Sequence, residues 1–244
     1  MTRLRLDEVL IKRGFYASRS RARDAVLRGT VRVDGAVALK PAQNAAHDAQ
    51  IEIIDAAQKY VSRAALKLKH ALEHFKIDVT GRNGLDIGAS TGGFTQVLLE
   101  QGAAHVTAID VGHGQFVAWL KSRDRVTSIE GLNARDIAPE HLEHDIGIIV
   151  CDVSFISLKL ALPAALTLVA SGTHLVALIK PQFEVGREAI GRSGLVTDPR
   201  EHTRVCDEIV EFLKNEEWDV LGVTPSAIEG GDGNQEFLIA AVKR

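Results

Sequence analysis

Asp86-Ile87-Gly88-Ala89-Ser90-Thr91-Gly92-Gly93-Phe94-Thr95 is the stretch that decides the fold. It carries an apolar run of strand length (GLDIGA, from Gly84) into a helical segment, GGFTQVLLEQG (92–102). Glycines at such a strand-to-helix turn let the backbone approach a ligand, and the following helix N-terminus offers free N–H groups. The G-xxx-GG spacing is not the GxGxxG that seats a dinucleotide pyrophosphate. Outward from this turn, strand-length runs recur at HVTAIDV (105–111), IIVCDVSF (148–155) and THLVALIK (173–180). Helical stretches such as LKLALPAALTLVA (158–170) separate them, and an amphipathic helix, YVSRAALKLKHALEHF (60–75), precedes them. That alternation predicts a Rossmann-like α/β unit over 61–244, a mostly parallel sheet covered by helices on both faces. WDVLGVTPS (218–226) and QEFLIAAVK (235–243) flank GGDGN and predict an antiparallel C-terminal hairpin at one sheet edge.

The same turn defines a candidate cofactor site. Asp110 stands at the end of the second strand, where a carboxylate accepts ribose hydroxyls. Asn133-Ala134-Arg135-Asp136 follows a third short run and offers Asp136 to an adenine amino group. A tight turn alone would explain the glycines. Together with both carboxylates they predict an adenosyl ligand without a pyrophosphate, S-adenosyl-L-methionine in preference to NAD. The expected cofactor residues are Asp86, Gly88, Ser90, Thr91, Gly92, Gly93, Phe94, Asp110 and Asp136.

Charge divides the chain. Its 244 residues carry a net charge of −3, yet residues 1–32 hold nine Lys/Arg against three Asp/Glu, so the remainder sums to −9. Asp7 to Arg13 and Ser18 to Arg28 read as two short helices, the second capped by Ser18 and stopped by Gly29. Leu4, Leu6, Val9, Leu10, Ala22, Val26 and Leu27 supply a shared apolar side. VRV-DG-AVAL is a hairpin signal about Asp34-Gly35, and QIEII adds a strand. These elements predict a small α+β nucleic-acid-binding domain over 1–58 with a linker at 59–60. A solvated helix face is the alternative; nucleic acid is preferred because the charge is one-sided and no acidic residue at i+4 neutralises it. Arg3, Arg5, Lys12, Arg13, Arg19, Arg21, Arg23 and Arg28 are candidate RNA contacts, with Arg63 beyond the linker. Arg187, Arg192 and Arg200 join them in the Gly186–His202 segment, where a solvated connector is the equal alternative.

Cys151 and Cys206 lie far apart in the sequence and form no CxxC pair, so a reducing compartment is expected and a metal site is not. No secretory or membrane-spanning stretch is apparent. A cytoplasmic protein without a membrane or a stable protein partner is the expectation. Cys151 and Asp152 would point to opposite faces of a strand, which makes Cys151 core rather than nucleophile. The Asn/Asp-Pro-Pro-aromatic signature of exocyclic-amine methylation is missing at this place. Lys180 closes an otherwise apolar strand, a costly placement unless the lysine acts or pairs, and an ion pair with Asp152 would meet it.

At these residues the chain resembles a family. YVSRAALKL, DIGASTGGFT, CDVSF, LIKPQFE and QEFLIAAV look like the TlyA-type ribosomal RNA 2′-O-methyltransferases, also called haemolysin A proteins. That family joins an N-terminal RNA-binding domain of the ribosomal-protein-S-four type to an FtsJ-like methyltransferase domain. The resemblance covers essentially the whole chain. It implies a Lys-Asp-Lys-Glu tetrad that falls onto Lys67, Asp152, Lys180 and Glu236, and a cytidine ribose in ribosomal RNA as acceptor, the large subunit ahead of the small. A 2′-hydroxyl is a poor nucleophile at neutral pH, so the reaction needs alignment and the removal of one proton. Lys180 is the candidate base or orienter, with Lys67 a nearby cation and Asp152 and Glu236 holding it. Rival readings are a non-catalytic RNA-binding or ribosome-assembly factor and, from His70-Ala71-Leu72-Glu73-His74, an inverted zinc protease that lacks its distal ligand. No pore-forming segment is legible.

Overall fold

The computed structural model describes residues 3–186, 188, 190–191, 194–230 and 233–244. Arg187, Arg192 and the side chain of Arg3, three of the expected RNA contacts, lie outside the described residues. The chain divides into two compact units, one ending at Lys59 and one beginning at Tyr60.

In the first unit, β1 (Arg3–Arg5) leads into α1 (Leu6–Lys12) and α2 (Arg19–Leu27). These are followed by β2 (Val31–Val33), β3 (Ala36–Val37), β4 (Asn44–Ala46) and β5 (Ile51–Ile53). Ser18 Oγ accepts the Arg21 N–H as the α2 cap. Asp34 and Gly35 both have positive φ (51° and 82°), the backbone of a type I′ hairpin, which joins β2 to β3. β5 pairs with the other side of β2. β1 and β4 form a second, two-stranded antiparallel sheet that the sequence pattern did not announce. Leu6, Val9, Leu10, Tyr16, Ala22, Ala25, Val26 and Val31 make the core. Leu27, expected inside, is 67% exposed, because α2 ends there and turns its last side chain outward.

The second unit opens with α3 (Ala65–Phe75), shorter than the amphipathic stretch suggests. β6 (Asn83–Ile87), α4 (Gly93–Glu100), β7 (His105–Asp110), α5 (Ala118–Lys121), β8 (Val126–Glu130) and β9 (Ile148–Cys151) follow. α6 (Leu158–Ala161) and α7 (Pro163–Thr167) come next, then β10 (His174–Ile179), α8 (Pro181–Glu184), α9 (Pro199–Asn215), β11 (Trp218–Pro225) and β12 (Phe237–Lys243). LKLALPAALTLVA is thus two helices, since Pro163 cannot donate to an uninterrupted helix and sits at the first position of the second. The sheet order is β11-β12-β10-β9-β6-β7-β8. β8, β7, β6, β9 and β10 run parallel, and β12 and β11 close the other edge antiparallel. The central strands are buried through their length, for example Ile148, Ile149 and Val150 at 0% exposure, as a sheet covered on both faces requires. α9 begins inside the segment read from sequence as a ligand loop. Asp198 caps it, Pro199 opens it, and Val205, Ile209 and Leu213 bury one stripe against the sheet.

Candidate active site

Every parallel strand of this sheet delivers its C-terminal end to one edge, where open α/β sheets hold their ligands. The β6–α4 turn lies there. Gly88 has φ 82°, and a Cβ on it would stand 2.5 Å from the Asp152 carbonyl oxygen. Gly92, at φ 97°, would drive a Cβ to 2.5 Å from Leu120 Cδ2. These glycines therefore bring the ends of β6 and β9, and the start of α4 and α5, within contact of each other. Close approach of a ligand is not needed to explain them. Asp86 lies beneath the turn with no exposed surface; its Oδ2 accepts from Thr95 Oγ1 at 2.6 Å, and Oδ1 has no partner. Burial, reinforced by the charges of Asp152 and Asp110, pushes this carboxyl up to about 7.

Asp110 ties two loops together. Its Oδ2 accepts the Ser90 N–H and its Oδ1 the Gly112 N–H, each at 2.7 Å. Glu130, at the end of β8, accepts the Gln115 N–H at 3.2 Å and pairs with Lys121, so the loop after β7 is held from both sides. A cavity of about 620 Å³ opens between these loops, within the range of small-molecule sites. Gly88, Ser90, Asp110, Gly112, Gln115, Asn133, Ala134 and Arg135 line it on one side, and Asp152 to Ile156 on the other. A smaller recess of about 170 Å³ adjoins it, lined by Ser62, Ser90, Thr91, Gly93, Phe94, Asp152, Ser154 and Lys180 among others. The expected cofactor residues thus separate. Gly88, Ser90, Thr91, Gly93, Phe94 and Asp110 line these cavities, whereas Asp86 is buried beneath the turn, Gly92 packs against Leu120 and Phe116, and Asp136 is exposed in a one-turn helix and lines neither cavity.

Two lysine–carboxylate pairs complete the edge. Lys180 follows β10, and its Nζ lies 2.7 Å from Asp152 Oδ1, an ion contact without hydrogen-bond alignment, while donating to Ser154 Oγ at 2.9 Å. Lys67 on α3 donates to Glu236 Oε2, and both side chains are buried. Because β10 and β12 run antiparallel with Ile179 opposite Phe237, Glu236 and Lys180 occupy the same end of neighbouring strands. Each lysine has its own carboxylate: Asp152 holds Lys180 as expected, whereas Glu236, expected to hold Lys180 as well, pairs with Lys67 instead. Cys151 is fully buried, and burial pushes its thiol up, which fits core rather than nucleophile. Ser154 and Phe155, both within CDVSF, are site residues that the sequence pattern does not single out. Phe155 has φ 66° and is 90% exposed at the cavity mouth, with its ring 5.1 Å from that of Phe183. An exposed aromatic in left-handed backbone was the one local signal, and it appears only once the turn is built.

The arginines of the first unit are less free than their spacing suggests. Arg5 and Arg19 both reach Asp7, whose carboxylate is fully buried, and Arg28 bridges Asp24 and Asp55. The expectation of an unneutralised face fails here: Asp24 lies four residues before Arg28, and the other acids are brought in from α1 and from the segment after β5. Lys12, Arg13 and Arg23 remain exposed, Arg13 with a hydrogen bond to the Ala49 carbonyl. Arg21 and Arg63 are half-buried, and Arg200, 91% exposed, pairs with Asp198.

The parallel sheet with its antiparallel closing pair, and the cleft at its strand ends, define a methyltransferase. An O-methyltransferase of Bacillus cereus, solved with S-adenosylhomocysteine, shares this fold at a TM-score of 0.51 and 20% identity over 75% of this chain and 82% of that one. The chain belongs to the FtsJ-like methyltransferase family, which matches residues 60–243, with an S4 domain matched over residues 4–51. It is 42% identical over 97% of its length, and 89% of the relative's, to the 16S/23S rRNA (cytidine-2'-O)-methyltransferase TlyA of Mycobacterium tuberculosis. It is 39% identical to Hemolysin A of Brachyspira hyodysenteriae, over 96% of this chain and 98% of that one. A candidate hemolysin from Streptococcus thermophilus superposes with a TM-score of 0.78 at 39% identity, over 100% of this chain and 89% of that one.

Proposed function

We propose that the protein methylates the 2′-hydroxyl of a cytidine ribose in ribosomal RNA, with S-adenosyl-L-methionine as donor. The observation that carries the reading is the buried Lys180, paired with Asp152 and Ser154 and lining a recess that adjoins the larger cavity. That cavity supports the reading: Ile87, Ile109 and Leu132 give it apolar walls suited to a base, and Asp110 lines it with a carboxylate able to accept ribose hydroxyls. When bound, S-adenosylmethionine supplies an already activated methyl group.

The chain's own residues do the rest. As the neutral amine Lys180 accepts the proton of the acceptor hydroxyl, and as the ammonium it orients that hydroxyl; Asp152 and Ser154 fix the direction of its Nζ, and the Lys67–Glu236 pair stands at the neighbouring strand end. Phe155 offers its free face for stacking of the target base, the usual means by which single-stranded RNA bases are held. Residues 1–58 serve RNA binding through Lys12, Arg13 and Arg23, and residues 61–244 serve the chemistry. The proposed partner is the large subunit, in the cytoplasm where ribosomes and the donor meet. A relative in Campylobacter jejuni, 36% identical over 75% of this chain, is named for 23S rRNA alone, and the mycobacterial relative for both rRNAs, which supports that order. Among the described residues no helix is long and apolar enough to cross a membrane.

The test is incorporation of labelled methyl groups from S-adenosylmethionine into ribosomal RNA, read by resistance of the target linkage to alkaline cleavage. Alkali-resistant cytidine is expected. Binding without transfer would favour the assembly-factor reading, and methylation on a base would reject the ribose assignment.

A further inference from the structure

The edge of the sheet opposite the cleft carries a second grouping of polar side chains. His105 is the first residue of β7, and Glu143 and His144 lie in the turn before β9. One possible ligand atom from each stands within 4.8 Å of the other two. We infer that these three residues form a binding site for a divalent transition-metal ion of the zinc class.

The strands on either side explain how the grouping is assembled. β6 lies between β7 and β9, so ligands at the starts of β7 and β9 span the beginning of the central strand. Asn83, which starts β6, holds the turn beneath them: its Nδ2 donates to the Asp145 carbonyl at 3.0 Å, and its own carbonyl accepts the Gly147 N–H at 2.9 Å. The site therefore rests on packed strands and a pinned turn.

The donor set fits the ion. Two imidazoles and one carboxylate are ligands zinc accepts, with room left for water. His105 is 8% exposed, and its Nε2 lies 3.1 Å from Thr127 Oγ1. With the proton on Nε2, Thr127 accepts it and Nδ1 presents a lone pair, the outer hydrogen bond that metal-bound histidines usually make. Glu143 and His144 are exposed, and among the described residues neither makes a hydrogen bond or ion pair. Zinc bonds of ordinary length require ligand atoms about 3.3 Å apart in a tetrahedron, so these two side chains need only close inward by rotation. The His105 and His144 rings already meet edge to face at 4.6 Å. Such an ion would tie β7 to β9 across β6, on the face of the sheet's edge that the cleft does not use.

Titration of the chelator-treated full chain with zinc alone tests the site. One equivalent should bind, and the melting temperature should rise with zinc concentration. His144→Ala should remove both effects, and Glu143→Gln should weaken binding at least ~10-fold; these side chains are exposed, so the variants should melt like the parent without metal. Thr127→Val should cost ~10–100-fold in affinity through the outer hydrogen bond. His70 and His74, one turn apart on α3 with rings at 5.8 Å, are the competing pair. A His70→Ala/His74→Ala protein should bind zinc as the parent does. The site is overturned if the parent binds no zinc, if His144→Ala binds it unchanged, or if binding disappears with His70 and His74.

Discussion

Lys180 is the side chain on which the proposed transfer turns. A lysine at the end of an apolar strand is held there by Asp152 and Ser154 and opens onto the smaller recess. Lys180→Ala is expected to lower methyl transfer at least ~100-fold, the scale of a lost general base, while donor affinity is retained. Single-turnover transfer and calorimetry on the same variant separate the two, and near-normal turnover would reject the role. Asp110 has a different burden, since both of its oxygens already accept backbone N–H groups from Ser90 and Gly112. Asp110→Ala should weaken donor binding by about 1–3 kcal/mol, through the lost ribose acceptor and the loosened loops together. Calorimetry showing unchanged affinity would place the ribose elsewhere.

The β6–α4 connection is the element on which the cleft depends, and it carries a pH signature. Asp86 ionises at about 7 in the folded chain, well above the ordinary carboxylate range. Between roughly pH 4 and 7 the unfolded chain gives up this proton while the folded chain keeps it, so the unfolded state binds fewer protons and stability falls as pH rises through that window. Above about 7 both states are ionised and the penalty is constant. Asp86→Asn should therefore flatten the fall, the parent losing stability relative to the variant from pH 4 to 7. Urea unfolding at half-unit steps measures the difference, and a constant offset between the two proteins would show that Asp86 titrates normally. In the first unit α2 offers a comparison between two arginines. Arg28 is held by Asp24 and by the buried Asp55, whereas Arg23 is exposed. Arg28→Ala should destabilise by about 1–3 kcal/mol in thermal unfolding, and Arg23→Ala should leave stability nearly unchanged while reducing the salt dependence of RNA binding by about one unit of slope.

For the whole molecule the division of charge sets the expectation. Residues 60–244 hold 18 Lys/Arg against 25 Asp/Glu, a net −7, and would repel a polyanion without the basic first unit. A chain beginning at Tyr60 has its own core, drawn from both faces of the sheet, and should fold and bind S-adenosylmethionine. Its methylation of ribosomal RNA should collapse. Transfer assays on the shortened and full chains check this, and equal activity would overturn the division of labour.

The sequence by itself determined the alternation of the main strands and helices of the second unit, the glycine turn, the hairpin at Asp34-Gly35 and the singular position of Lys180, because periodicity, turn chemistry and an isolated polar residue at a strand end are all local signals; the other three residues of the tetrad came with the family resemblance, and β1, β4 and the start of α9 were not legible. It also carried the family, through motifs spread along the chain. Only the tertiary structure decided which polar groups line the cavities and which are taken up by the fold. Asp86 and Gly92 sit in the same short motif as Ser90 and Gly93, yet burial and close packing turn the first two toward the scaffold. Arg19 and Arg23 look alike in one helix, but of the two it is Arg19 that Asp7, twelve residues earlier, engages. His105 and His144 are thirty-nine residues apart, and no spacing rule joins them. Pairing of charges, burial and the convergence of separate strand ends are properties of distances in space, which the chain acquires only when the sheet has formed.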